Sequence, residues 1–418
     1  MTKQSNIAAA VLILLIFITF ACFEHYQKPP AQPVVEVKAS PKEIPTHKKT
    51  HKKKKPQPEN IYPLEITSGN IKMFLTDFTR TLKPDKNCSS PVCHEVLGLI
   101  DHAESTIDMA LFGWTEILAI NNAVTKAIER GVVVRLVYDD ADVEYYEGTP
   151  NQAKLVSEAV SDNDSKTLMH NKFLIFDNKI VLTGSMNFSD TGLSGFNTNN
   201  IFVINSPEIA QIYTDEFNQM FSGKFHEAKT SGGRGMVYFS PQDKVIEKHI
   251  IPMINDAKNY IYLPIFLITR ADMTDALISA KQRGVNVKVI VDAVNPDSKA
   301  SQIPKLRAAG VPVKTENYAG KMHAKTLIID DRYIIAGSMN FSKTGENKND
   351  ENVLIIDNPV LARHYKGFFE YLWAKIPDRY LKHNVRAESI YSIGSCTDGI
   401  DNNFDKKIDN EDVGCQQK

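Results

Sequence analysis

Cysteine and tryptophan are scarce in this chain, with five and two among 418 residues, and charge of either sign is not in excess, the formal net charge being −1. Few cysteines exclude a fold held mainly by disulfides. The absent positive surplus gives no sign of the basic body with which proteins grip nucleic acid by phosphate neutralisation. That balance is an average over unlike regions. Glu24 to Glu59 carries nine lysines against four glutamates, and the stretch from Cys396 onward carries six acidic residues against three lysines. The body between them is mildly acidic, about −4. Long apolar runs are also lacking, apart from Ile7 to Phe23, about 17 residues preceded only by Lys3.

That run reads as a signal or anchor segment (1–23). Thr19-Phe20-Ala21 before Cys22 admits cleavage with lipid attachment, although the bulky Phe20 fits poorly, and an uncleaved anchor stands beside it. Residues 24–62 are rich in proline and lysine without apolar periodicity, which predicts an extended tether, and the lysines from Lys48 to Lys55 suit contact with an anionic surface. Cys88 and Cys93 flank a short Pro-containing loop, and Cys396 and Cys415 bracket the acidic end. Two local pairs and an odd Cys22 predict two disulfides and an exported protein, either anchored or secreted.

After Ile61 the composition becomes globular and repeats itself. AIERGVVVRLVYD (Ala127 to Asp139) matches AKQRGVNVKVIVD (Ala280 to Asp292), and MHNKFLIFDNKIVLTGSMNFSDTG matches MHAKTLIIDDRYIIAGSMNFSKTG. One register held over two long segments implies duplication. Buried strands alternate with amphipathic helices in both copies, which predicts an α/β fold with mostly parallel sheets covered on both faces. The expected domains are residues 63–227 and 228–390, with residues 391–418 forming a separate Cys-bracketed tail.

Each half contains H-x-K-x-x-x-x-D followed by G-S-x-N. In the first these are His170, Lys172, Asp177, Gly184, Ser185 and Asn187; in the second they are His323, Lys325, Asp330, Gly337, Ser338 and Asn340. Residues two apart in a strand face one side, so each histidine points with its lysine. Joined face to face, the halves offer cations and amides for charged oxygens, a nucleophile and an opposing acid, which is what phosphodiester chemistry needs. These paired motifs resemble the phospholipase D superfamily. The resemblance implies two pseudo-symmetric α-β-α sandwich halves with the active site at their interface. It further implies a phosphohistidine formed on one histidine, a leaving alcohol protonated by the other, no cofactor for catalysis, and a monomer, since one chain carries both motifs. Ser185, Ser338, Asn187 and Asn340 are then phosphate-binding candidates, and Asp177 and Asp330 support the motif.

The halves differ downstream. NDENVLII places Glu351 where that family carries an acid beside the histidine, and NTNNIFVI places Asn199 at the matching point. With each residue taken as the partner of its own half's histidine, a carboxylate favours an imidazolium at His323 and an amide leaves His170 neutral. His170 is then the nucleophile and His323 the acid. The tail CTDGIDNNFDKKIDNEDVGC resembles secreted calcium-loop repeats, with Asp401, Asn403, Asp405, Asp409 and Asp412 at loop positions 1, 3, 5, 9 and 12. Lys406 in place of the turn glycine and the short Asp412 depart from that pattern. Three readings follow: hydrolysis of phospholipid head groups at a membrane surface, favoured by the anchor and tether; an exported nuclease, favoured by GSMNFS; and a non-catalytic polyanion-binding module, disfavoured by two complete motifs.

Overall fold

The computed structural model describes residues 62–140, 148–164, 166–226 and 235–416. The apolar run, the tether and Cys22 lie outside these. An eight-stranded sheet is built from β1 (Glu65–Ser68), β2 (Ile71–Leu75), β3 (Thr106–Leu111), β4 (Val133–Tyr138), β5 (Glu158–Ser161), β6 (Lys172–Phe176), β7 (Ile180–Gly184) and β8 (Asn200–Asn205), in the order β1-β2-β8-β7-β6-β3-β4-β5. A seven-stranded sheet uses β9 (Val237–Ser240), β10 (Tyr260–Ile265), β11 (Asn286–Val291), β12 (Val313–Thr315), β13 (Leu327–Ile329), β14 (Tyr333–Gly337) and β15 (Glu351–Asp357), in the order β12-β11-β10-β13-β14-β15-β9.

The sheets are mixed, not mostly parallel. Only β3-β4-β5 and β10-β11-β12 pair in parallel, and every other pairing is antiparallel. The reason is local. Asp177 and Asn178 (φ 51° and 48°), and Asp330 and Asp331 (φ 54° and 53°), are the left-handed central residues of tight turns within three-residue loops. Such turns match the strand twist and fold β6 back on β7, and β13 on β14, as hairpins. The acidic residue ending each motif also ties its hairpin to the neighbouring strand. Asp177 accepts from the N–H groups of Glu104, Ser105 and Thr106, and Asp330 from those of Lys258, Asn259 and Tyr260.

Five longer helices complete the layers: α1 (Pro91–His102), α2 (Leu118–Glu129), α3 (Pro207–Phe221), α4 (Ala271–Gln282) and α5 (Pro359–Lys375). Strand alternation divides the apolar side chains. Leu174 and Phe176 of β6 join α1 and α2 in an outer core, whereas Phe173 and Ile175 face a central core shared with the second sheet. Helices α3 and α5 enter that central core through Tyr213, Phe217, Tyr365 and Phe369, and α4 covers the far face of the second sheet through Met273 and Leu277. Removing one of these buried aromatic rings would cost about 3–5 kcal/mol.

Both predicted disulfides are formed, Cys88–Cys93 and Cys396–Cys415, and they suggest an oxidising environment outside the cytoplasm. No helix among the described residues is long and apolar enough to cross a membrane.

Candidate active site

The glycine of G-S-x-N lets two backbones touch. A Cβ on Gly184 would lie 2.1 Å from the Asn200 carbonyl oxygen, and one on Gly337 would lie 2.2 Å from that of Asn352. Side chains are thereby excluded at both points, and the serine that follows is brought against the start of β8 or β15.

There the halves exchange partners. Met169 bridges to Asp350 and Thr198 to Met322, with the His170 N–H donating to the Asp350 carbonyl and the His323 N–H to that of Thr198, both at 2.9 Å. The residue after each bridge is the one that meets the histidine. Glu351 Oε2 lies 2.7 Å from Nδ1 of His170, and Asn199 Oδ1 lies 3.0 Å from Nδ1 of His323. The expectation that Glu351 serves His323 is therefore corrected. Each histidine takes its partner from the opposite half, because the strand carrying that partner pairs across the interface before entering its own sheet.

The expected charge states change with the pairing. His170 is 6% exposed. Burial lowers its pKa to about 4 against the opposing pull of Glu351, so the carboxylate does not make it an imidazolium. Burial and the nearby Lys325 and Lys172 push His323 well down. Glu351, though buried, is held below its usual range by His170 and Lys172. Burial thus disfavours the charged form of both imidazoles in the free site. With its Nδ1–H donated to a carboxylate, His170 keeps a lone pair on Nε2.

The serines expected to bind phosphate are fully buried and orient those partners instead. Ser338 Oγ donates to Glu351 Oε2 at 2.7 Å and accepts the Asn352 N–H; Ser185 Oγ donates to Asn199 Oδ1 at 2.9 Å and accepts the Asn200 N–H. Lys172 Nζ and Lys325 Nζ donate to the carbonyls of His170 and His323, at 2.7 and 2.6 Å. Lys325 is pushed well below its ordinary pKa by burial and by Lys172. Asn187 and Asn340 follow the serines at the ends of β7 and β14.

Sequence reasoning missed three groups. Phe112 sits edge-on to His170, with ring centroids 4.6 Å apart and Lys172 Nζ 4.7 Å from its centroid; Phe266 lies tilted against His323 at 5.3 Å, with Lys325 Nζ at 4.8 Å. Both phenylalanines directly follow the first parallel strand of their sheet, so the repeat itself carried the signal. His226 makes ion pairs with Asp350 at 3.0 Å and Asp162 at 3.7 Å. Against burial, which lowers it, these carboxylates hold its pKa up at about 10.

The acidic side chains of the tail are engaged with backbone N–H groups, with Asn403 and with Arg386. Asp401 accepts the N–H groups of Asp405 and Lys406, and Asn403 donates to Asp412 at 2.7 Å. Asp409 accepts from Gly399 N at 3.3 Å. The guanidinium of Arg386 lies 3.3 Å from Asp412 and 3.6 Å from Asp405, where it supplies positive charge itself. Among the described residues no group of three or more His, Cys, Asp or Glu is placed to hold a metal.

With this arrangement in view, the family is plain. Residues 96–221 and 250–373 match the family described as cardiolipin synthase, PLD-like domain, and the chain belongs to that family. It is similar to a phospholipase D of Rickettsia conorii, 36% identical over 118 residues, which is 28% of this chain and 59% of that protein. A mitochondrial cardiolipin hydrolase of Chlamydomonas reinhardtii is 32% identical over 120 residues, 29% of this chain and 54% of that one. The chain thus spans less than two thirds of these relatives' length. The fold matches phosphatidylserine synthase of Haemophilus influenzae Rd KW20 with a TM-score of 0.56 at 13% identity, over 77% of this chain and 90% of that one.

Proposed function

We propose that this chain is a phosphodiesterase of the phospholipase D type that hydrolyses phospholipid head-group esters through a phosphohistidine on His170. The observation that carries this reading is the buried Glu351 carboxylate on Nδ1 of His170, which fixes the tautomer with a free lone pair on Nε2. Nε2 attacks phosphorus, a P–N bond forms, and the P–O bond to the head-group alcohol breaks. The bound phosphodiester anion raises the proton affinity of His323, so the imidazolium opposite gives its Nε2 proton to the departing oxygen. Water then loses a proton to His323 and attacks phosphorus. The P–N bond breaks, the phosphomonoester leaves, and His170 recovers its lone pair. Lys172, Lys325, Asn187 and Asn340 hold the non-bridging oxygens, and a charged ligand restores the depressed Lys325.

The lipid substrate is supported by the names of the relatives, phospholipase D and cardiolipin hydrolase, and by the mildly acidic body, which does not suit a polyanionic duplex. One chain completes the site, which supports a monomer. The two disulfides support an exported protein.

The test offers the full chain phosphatidylcholine vesicles and, separately, plasmid DNA, each in EDTA. Release of head group is expected, with His170→Ala and His323→Ala each reducing it by at least about 10³-fold. Cleavage of DNA alone would overturn the lipid reading. With an aryl phosphodiester, whose leaving group needs no proton, His323→Ala should accumulate phosphoryl label on His170. Label on His323 in the His170→Ala variant would reverse the assignment.

A further inference from the structure

Exposed apolar side chains gather in and beside the disulfide-closed tail. Of the ten large hydrophobic residues exposed among those described, Ile390, Tyr391, Ile393, Phe404, Ile408 and Val413 lie in or beside the disulfide-closed tail. A seventh, Leu82, abuts it, its Cβ being 3.5 Å from where a Cβ on Gly394 would stand. Ile390 N–H donates to the Gly414 carbonyl at 3.0 Å, and the Tyr380 hydroxyl reaches the Tyr391 carbonyl at 3.4 Å. These bonds set Ile390, Tyr391 and Val413, which are 52%, 63% and 58% exposed, on one face. Lone exposed apolar residues are ordinary, but a contiguous group marks an interaction surface.

The surroundings of that face indicate what covers it. A groove of about 600 Å³ crosses it, lined by Ile390, Tyr391 and Val413 together with Arg379, His383 and Arg386. The stretch Arg379–Arg386 holds Arg379, Lys382, His383 and Arg386 without an acidic residue, and all four are exposed. Asp378 just before it is paired with Lys314 at 2.7 Å, and Arg386 shares its charge with Asp412 and Asp405. Apolar and aromatic side chains fringed by arginine and lysine match the boundary between acyl chains and anionic head groups. A second copy of the chain fits poorly, because a two-fold contact would bring the cationic fringes together.

The face is also continuous with the site. Ile393 exchanges backbone hydrogen bonds with Asn317 and Ala319, at 2.8 and 2.9 Å, and Asn402 Nδ2 donates to the Ala319 carbonyl. Lys321 Nζ donates to the Asn402 carbonyl at 2.7 Å and lies 4.1 Å from the Phe404 ring centroid. Two residues later the same segment supplies His323.

We propose that Ile390, Tyr391 and Val413, together with the Arg379–Arg386 segment, form a docking surface for an anionic phospholipid bilayer. Ile390, Tyr391 and Val413 enter the interface, and Arg379 and Lys382 meet head-group phosphates. The proposal rests on the lipid reading above and deepens it by naming the surface that meets the substrate.

Two measurements on the full chain test it. The first places an indole reporter by Tyr391→Trp and compares emission, after subtracting the unaltered protein, on phosphatidylcholine vesicles with and without phosphatidylglycerol. A blue shift on the anionic vesicles that weakens in high salt is expected. No shift overturns the proposal, and so does a shift that appears without vesicles and grows with protein concentration, which means self-association. The second compares Ile390→Asp/Val413→Asp with the unaltered chain on vesicle phospholipid and on water-soluble bis(4-nitrophenyl) phosphate. Vesicle turnover should fall about ten-fold and soluble turnover should hold within about two-fold; equal loss on both overturns the docking surface. A blue shift with soluble-ester turnover but no lipid cleavage refutes the lipid-substrate reading and leaves the surface standing. Lipid cleavage without a shift refutes the surface alone.

Discussion

The two histidines stand in matching surroundings, each with a phenylalanine ring, a lysine and a buried serine, yet one meets a carboxylate and the other an amide. Glu351 can accept only, so it fixes the His170 proton on Nδ1 and stabilises charge that develops when Nε2 bonds to phosphorus. Asn199 orients His323 through Nδ1 without that stabilisation, which leaves His323 free to take and release a proton. A duplicated site gains distinct roles by changing one side chain next to each reacting group.

The sharpest way to break this comparison is Glu351→Gln, which keeps the shape and removes the charge. A loss in kcat of about 10³-fold is expected, with KM nearly unchanged, by analogy with other carboxylates that orient a reacting histidine. The partner change, Asn199→Asp, gives His323 a carboxylate and raises its proton affinity; a fall of about ten-fold is expected, with the pH profile moved upward. An effect larger than that of Glu351→Gln would mean that the roles are exchanged. The acid limb of kcat/KM reads His170 directly. Burial lowers that group to about 4, so activity should persist well below 6.5 and fall as pH drops through about 4. Stability follows the same sign. The neutral buried His170 contributes fully above about 6.5, and the contribution is lost as pH falls toward 4.

His226 carries the opposite sign. Held up at about 10, it stabilises the fold below about 6.5 and loses that contribution as pH rises toward 10. His226→Ala leaves the buried Asp350 uncompensated and should cost about 3 kcal/mol in urea unfolding. The smallest expected effect concerns the tail. With Arg386 already against Asp412 and Asp405, millimolar calcium should shift the Tm by less than about 1 °C; a rise of several degrees would restore the calcium expectation.

The motifs, the duplication and both cysteine pairs were legible in the sequence because each is a local pattern. Strand direction was not. Apolar runs at β6, β7, β13 and β14 look alike in parallel and antiparallel sheets, and only the left-handed Asp177-Asn178 and Asp330-Asp331 turns decide. The crossed partners were hidden for a different reason. Nothing near Glu351 names His170, which is 181 residues away; the pairing exists only once Met169 and Asp350 have met across the interface. Ser185 and Ser338 were placed at the correct point of the chain and given the wrong neighbour, since burial is a property of the packed halves.

The exchange of partners bears on descent. Glu351 completing His170, and Asn199 completing His323, is the reciprocity of a two-fold dimer, in which each subunit finishes the other's centre. Identical subunits would have been forced to keep the two centres identical, because any substitution appears in both. Fusion of two copies into one reading frame lifts that constraint. A carboxylate on one side and an amide on the other is a difference that a pair of identical subunits cannot hold.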